Sequence, residues 1–87
     1  MNRTDRTIIS NKLSAVSIRD FLLVTTVWKR SSFRVVAREL GISPSGLSHQ
    51  VRKVEEALGT TLFERSSQQV KTTLEGEVLL SHIQDVL

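Results

Sequence analysis

Cysteine is absent from the 87 residues, which removes both a disulfide framework and any thiolate metal site. That absence fits a reducing compartment. Aromatic residues make up only 5% of the chain and apolar residues 39%, so a domain of this length has a modest core and invites support from a partner chain. The longest purely apolar run is Phe21-Leu22-Leu23-Val24, too short for a membrane span or a signal-peptide core; the expected location is the cytoplasm, with no membrane partner. Internal repeats and low-complexity segments are missing as well. No carboxylate pair stands with a histidine, and there is no phosphate-cradling glycine loop and no nucleophile elbow, so no enzyme is expected. His49 and His82 are the only histidines and fall on different helices with no cysteine to assist. No metal and no cofactor are therefore expected.

Charge is present and unevenly spread. The net charge is +3. Residues 1–28 carry Arg3, Arg6, Lys12 and Arg19 against Asp5 and Asp20. Residues 29–71 carry Lys29, Arg30, Arg34, Arg38, Arg52, Lys53, Arg65 and Lys71 against Glu39, Glu55, Glu56 and Glu64. Residues 72–87 hold only Glu75, Glu77 and Asp85. A basic middle suits an anionic partner such as nucleic acid, and an ordinary solvated surface is the alternative.

Four helices and a hairpin follow a polar stretch, residues 1–16, that lacks a sustained period and reads as a flexible arm. Ser17, with Asp20 three residues on, has the spacing of a capping box. Ile18, Phe21, Leu22, Thr25 and Trp28 then mark one face of a first helix. Ser31 or Ser32 caps a second, with the stripe Phe33, Val36, Ala37 and Leu40, and Gly41 ends it in the left-handed conformation. Ser43 caps a third, and Pro44 takes the first helical position, where no N–H is needed. Leu47, Val51, Val54 and Leu58 lie within about 60° of one another on that helix. Ser45, Ser48, His49, Arg52 and Lys53 lie opposite, and Gly59 ends it. Leu62-Phe63-Glu64 and Val70-Lys71-Thr72 are hairpin strands around a polar Ser-Ser-Gln-Gln tip. Thr72 or Thr73 caps a fourth helix, Thr72 with capping-box spacing to Glu75. Val78, Leu79, Leu80, Ile83, Val86 and Leu87 cover an arc on it wider than one small core buries.

Two short helices joined by Gly41-Ile42-Ser43 have helix-turn-helix spacing. The second helix of such a unit lies in the DNA major groove and reads bases with its N-terminal residues, and a following hairpin suits a wing. A helix-turn-helix also occurs in protein-interaction modules, which is the alternative function.

The segment "SSFRVVARELGISPSGLSHQVRKVEEALGTTLFERSSQQVKTTLEGE" resembles the amino-terminal winged helix-turn-helix domain of the LysR-type bacterial transcriptional regulators. The residues that carry the likeness are Ser32, Phe33, Ala37, Leu40, Ser43, Leu47, Ser48, Val51, Val54, Glu55, Leu58, Gly59, Leu62, Phe63, Arg65, Val70, Thr73 and Gly76. The likeness spans residues 17–87. It implies a mainly α fold with a small β-hairpin: a flexible arm over 1–16, a winged helix-turn-helix over 17–73 and the start of a linker and dimerisation helix over 74–87. It also implies sequence-specific binding of double-stranded DNA, with a recognition helix at about 44–58 in the major groove and a wing at about 62–72 on the backbone or minor groove. Homodimers pair through Val78, Leu79, Leu80, Ile83, Val86 and Leu87, and a full-length protein can reach a tetramer. Family members continue into a large effector-binding domain, so a small-molecule effector is expected only where that domain exists. The expectation here is a DNA-binding fragment, a naturally short protein being the alternative. Val36 and Thr72 replace residues often alanine and leucine, and His49 stands where arginine or glutamine is frequent. Gln68-Gln69 lacks the arginine often found in the wing, which points to weaker wing–backbone affinity.

The expected DNA contacts are Ser32, Ser43, Pro44, Ser45, Ser48, His49, Arg52, Lys53, Arg65, Gln68 and Lys71. Small residues at the start of the third helix allow close approach, and serine bonds to base edges or phosphate. Arg52 can grip guanine or a phosphate, against the alternative of an ion pair with Glu56. Arg65 has two readings, a phosphate contact at the wing base, which is favoured, and a structural pair with a nearby glutamate. Glu55 and Glu56 are read as solvated or structural, and Trp28 and Phe63 as core.

Overall fold

A computed structural model describes residues 16–65 and 70–86, with side chains through Asp85. The elements in chain order are α1 (Ile18–Arg30), α2 (Phe33–Leu40), α3 (Pro44–Leu58), β1 (Phe63–Glu64), β2 (Lys71–Thr72) and α4 (Leu74–Val86). This is the mainly α architecture with one small hairpin that the sequence leads one to expect. Residues 1–15 of the expected arm over 1–16, the hairpin tip 66–69 with Gln68, the Val86 side chain and Leu87 lie outside the described residues; Val16, the last residue of that arm, is instead packed in the core at 8% exposed. Among the described residues, no helix is long and apolar enough to cross a membrane.

Capping chemistry sets most of the boundaries. Ser17 and Asp20 form the reciprocal capping box at the start of α1, with the Asp20 N–H donating to Ser17 Oγ at 3.1 Å and the Ser17 N–H to Asp20 Oδ2 at 3.3 Å. Of the two serines that follow, Ser31 closes α1 in the left-handed conformation (φ 54°) and Ser32 caps α2, its Oγ accepting from the Val35 N–H. Gly41 ends α2 at φ 70°, a conformation that strains any residue with a Cβ. Ser43 caps α3, and Pro44 occupies its first turn.

At the fourth helix the cap is Thr73 and not Thr72. The Gly76 N–H donates to Thr73 Oγ1 at 2.9 Å, so the Thr72–Glu75 box is not made. The backbone explains the choice: β2 holds Lys71 and Thr72 in register with Glu64 and Phe63, and the Thr73 N–H reaches the Leu62 carbonyl at 2.9 Å. The chain can turn into a helix only after that last bond.

The core is shared by α1, α2, α3, the hairpin base and α4. Its most buried members are Val24, Val27, Val36, Ala37, Leu47, Val51, Leu58, Leu62, Phe63 and Leu80. On α3 the whole expected stripe is buried. On α1 the buried face is turned from the expected one: Val24, Thr25 and Val27 are inside, whereas Ile18 and Leu22 are 68% and 52% exposed. The apolar run at 21–24 allows two overlapping helical stripes. Packing of α1 against α2, α3 and α4 together selects the one centred on Val24 and Val27. Trp28, expected in the core, is half-buried, and its indole N–H donates to Glu77 Oε2 at 3.2 Å.

Gly76 sits where α4 crosses the strand entry. A Cβ there would overlap the Leu62 carbonyl oxygen and lie 2.8 Å from the Leu62 Cα, and backbone atoms cannot yield as a side chain can. Gly76→Ala should therefore lower stability by about 1–3 kcal/mol, the range for overpacking a tight site. Denaturant unfolding checks this, and a midpoint equal to the wild type contradicts the crossing.

Candidate nucleic-acid interface

Helix α3 has two faces with different fates. Leu47, Val51, Val54 and Leu58 are at most 3% exposed, because they meet α1 and α2. The 3.6-residue period then forces Ser45, His49, Arg52 and Lys53 outward, and all four are exposed, as are Ser43 and Pro44 at the N-terminus. Arg52 makes no ion pair with Glu56 among the described residues; the two ion pairs there are Arg30–Glu39 at the surface and Arg65–Glu55. Among the described residues the exposed Arg52 guanidinium has no ion-pair partner. Ser43 keeps its capping role, with Oγ accepting from the Gly46 N–H at 3.0 Å and lying 3.3 Å from Ser45 Oγ.

Ser48 differs from its neighbours. It is half-buried, and its Oγ accepts a hydrogen bond from Arg65 Nη1 at 3.0 Å. Arg65 Nη2 donates to Glu55 Oε1 at 2.7 Å. The other carboxylate oxygen of Glu55 accepts the backbone N–H groups of Leu62 at 2.6 Å and Phe63 at 3.2 Å. Glu55 is only 7% exposed, and both oxygens are satisfied, as a buried charge requires. The Arg65 guanidinium also lies 5.1 Å over the Phe33 ring, which meets Phe63 edge-on with centroids 5.9 Å apart.

Of the two expectations for Arg65, the structural pair is present, with Glu55, and the Arg65 side chain stays 22% exposed. Glu55 is structural and Glu56 exposed. The sequence alone does not reveal this network because Glu55 and Arg65 are ten residues apart and meet only once the hairpin folds back on α3. Ser32 caps α2 and is half-buried, and Lys71 is exposed on β2.

The wide apolar arc on α4 divides between buried and exposed residues. Leu80 and Ile83 are buried within the single chain, at 0% and 2% exposed, and Leu80 belongs to the core cluster. Leu79 is half-buried, and Val78 is 68% exposed. Leu74, four residues before Val78 and absent from the expected set, is 80% exposed.

A helix-turn-helix followed by a hairpin wing defines the winged class of DNA-binding protein, and known proteins identify the branch. The model of the bacterial regulatory helix-turn-helix protein, lysR family, matches residues 18–77. The chain belongs to the LysR family, a family of DNA-binding transcription regulators. It is 46% identical over 56 residues to the HTH-type transcriptional regulator PerR of Escherichia coli (strain K12), which covers 64% of this chain and 19% of that protein. It is 34% identical over 79 residues to the HTH-type transcriptional regulator CfxR of Cupriavidus necator, covering 91% of this chain and 25% of that one. The chain thus spans a fifth to a quarter of the length of these curated relatives. Among solved structures it is similar to the BenM DNA-binding domain in complex with catB site 1 DNA, at a TM-score of 0.73 and 34% identity, covering 82% of this chain and 76% of that one. Full-length BenM matches at a TM-score of 0.71 and 34% identity over 82% of this chain and 23% of that one.

Removing Glu55 leaves Arg65 and two backbone amides without their acceptor. Glu55→Ala should destabilise the domain by about 3–5 kcal/mol, the range for breaking one side of a buried pair. Glu39→Ala, at the exposed Arg30 pair, should change stability by less than about 1 kcal/mol. Thermal unfolding of the two variants side by side checks the contrast.

Proposed function

We propose that this chain binds double-stranded DNA sequence-specifically, with α3 in the major groove and the hairpin on the neighbouring backbone or minor groove. Two copies pair through α4 to present two recognition helices. Regulation of transcription by a longer protein that contains this region is the wider reading. One observation carries it: α3 hides its apolar stripe completely while Pro44, Ser45, His49, Arg52 and Lys53 stand exposed on the opposite side. In a helix-turn-helix that side enters the groove. The structural likeness to the BenM DNA-binding domain, solved in complex with DNA, supports DNA binding.

The roles divide by chemistry. Pro44 and Ser45 let the helix N-terminus approach closely. His49 and Arg52 carry groups that reach base edges, and Lys53 and Lys71 carry point charges suited to phosphates. Pairing through α4 rests on Leu74, Val78 and the half-buried Leu79, since Leu80 and Ile83 are already inside the core.

Selection of preferred duplexes from a random pool tests the reading directly. Affinity for the selected duplex should fall by about 40-fold between 50 and 200 mM salt if three phosphates are neutralised, because each contact releases counterions. Arg52→Ala should weaken the selected duplex by about 1–3 kcal/mol, and Lys53→Ala should reduce the salt slope by about one. Neither should move the melting temperature, since both lie opposite the buried stripe. A salt-independent dissociation constant contradicts DNA binding.

Pairing has its own test in sedimentation at rising protein concentration. Val78→Asp should abolish self-association and leave the fold intact, because the side chain is exposed. A wild-type domain that stays monomeric at high concentration and binds a palindromic duplex as one copy contradicts the paired model.

A further inference from the structure

Serine hydroxyls inside helices usually bond back to the carbonyl one turn earlier, as Thr25 and Thr26 do in α1, donating to Phe21 at 2.8 Å and Leu22 at 2.6 Å. Ser48 does not. Its Oγ accepts from Arg65 Nη1 at 3.0 Å and donates to no group among the described residues. A guanidinium has only donors, so the direction of that bond is certain. The Ser48 proton therefore has no acceptor among the described residues.

The arrangement is held firmly. Arg65 is fixed by the buried Glu55 carboxylate at 2.7 Å and by the Phe33 ring beneath it, so it cannot turn away to release Ser48. A serine oxygen has one proton and two lone pairs. One lone pair is taken, and the adjacent positive charge disfavours a second donor at the same oxygen while strengthening the O–H as a donor.

We propose that Arg65 is a positioning residue that sets the polarity of Ser48. With its oxygen held by Arg65, the Ser48 hydroxyl presents its proton to DNA and selects a hydrogen-bond acceptor. The inference rests on the DNA-binding reading above. The acceptor is a purine N7 or O6, a thymine O4 or a phosphate oxygen. The amino groups of cytosine N4 and adenine N6 are rejected because they would leave the proton unpaired beside another donor. A free serine, by contrast, accepts either kind of group.

The test begins with selection from a random duplex pool using the wild type and Ser48→Ala. The selected duplex is then altered one group at a time, with 7-deazapurines removing N7 and methylphosphonates neutralising single phosphates. Ser48→Ala should lose about 5- to 150-fold in affinity. One altered acceptor, on a base or on the backbone, should weaken the wild type and leave Ser48→Ala unaffected. A base response assigns the acceptor to the groove and a phosphate response to the backbone, and both support the inference. Arg65→Met, measured as the ratio of affinities for two duplexes that differ only at the responding position, should relax that ratio towards one. A merely structural arginine would lower both affinities and keep the ratio. Because Arg65→Met can fail to fold, the comparison of altered duplexes between wild type and Ser48→Ala stands without it. The inference is overturned if Ser48→Ala binds the same duplex with unchanged affinity, or if the group it reads is an amino donor. A wild-type domain that enriches no duplex overturns both this inference and the DNA reading beneath it.

Discussion

The carboxylate of Glu55 joins the two halves of the proposed DNA-contacting unit. It projects from the last turns of α3 into the entrance of the hairpin. There it accepts two backbone N–H groups, at Leu62 and Phe63, and the guanidinium of Arg65. Strands of two residues cannot stand alone, and the ladder between β1 and β2 covers only Phe63–Thr72 and Glu64–Lys71. The wing therefore takes its position from α3, through a charge that is 7% exposed, rather than from its own pairing. Phe33 lies under the Arg65 guanidinium and meets Phe63 edge-on, which helps hold the arginine on that charge. The orientation of Ser48 is a consequence of the same interaction.

A second joint sets the direction in which α4 leaves. Thr73 bonds to the Thr61 and Leu62 carbonyls and caps the helix, and Gly76 lets the helix pass against Leu62 without a clash. Trp28 and Glu77 tie the first turn of α4 to the end of α1. Leu80 and Ile83 then anchor the next turns in the core. The exposed face with Leu74 and Val78 is thus held at a fixed angle to α3. In a paired protein that angle fixes the spacing of two recognition helices, and with it the spacing of half-sites.

Much of this was legible in the sequence, for local reasons. Capping residues act within one turn, so Ser17 with Asp20, Ser43 with Pro44, and Gly41 announced their boundaries. The α3 stripe was read correctly because its apolar residues are few and evenly spaced, leaving one possible face. On α1 the run Phe21-Leu22-Leu23-Val24 allows two faces, and only packing against three other helices decides between them. Thr73 rather than Thr72 caps α4 because of a backbone bond to Leu62, eleven residues earlier, which no local pattern shows. The roles of Glu55, Arg65, Leu80 and Ile83 also arise from contacts across the fold. The sequence displayed their chemistry but not the partners that commit them. For the polar face of α3 the situation is reversed: its exposure follows from the period alone.

Amide hydrogen exchange at Leu62 and Phe63 tests most directly whether the wing is held by the buried carboxylate. If the buried Glu55 carboxylate accepts both N–H groups, those amides open only when α3 itself unfolds. They should then exchange with the same opening free energy as Val51 and Val54 in the middle of that helix. Exchange at the rate of an exposed loop, with Val51 and Val54 still protected, would show that the hairpin opens independently of α3 and would contradict the account.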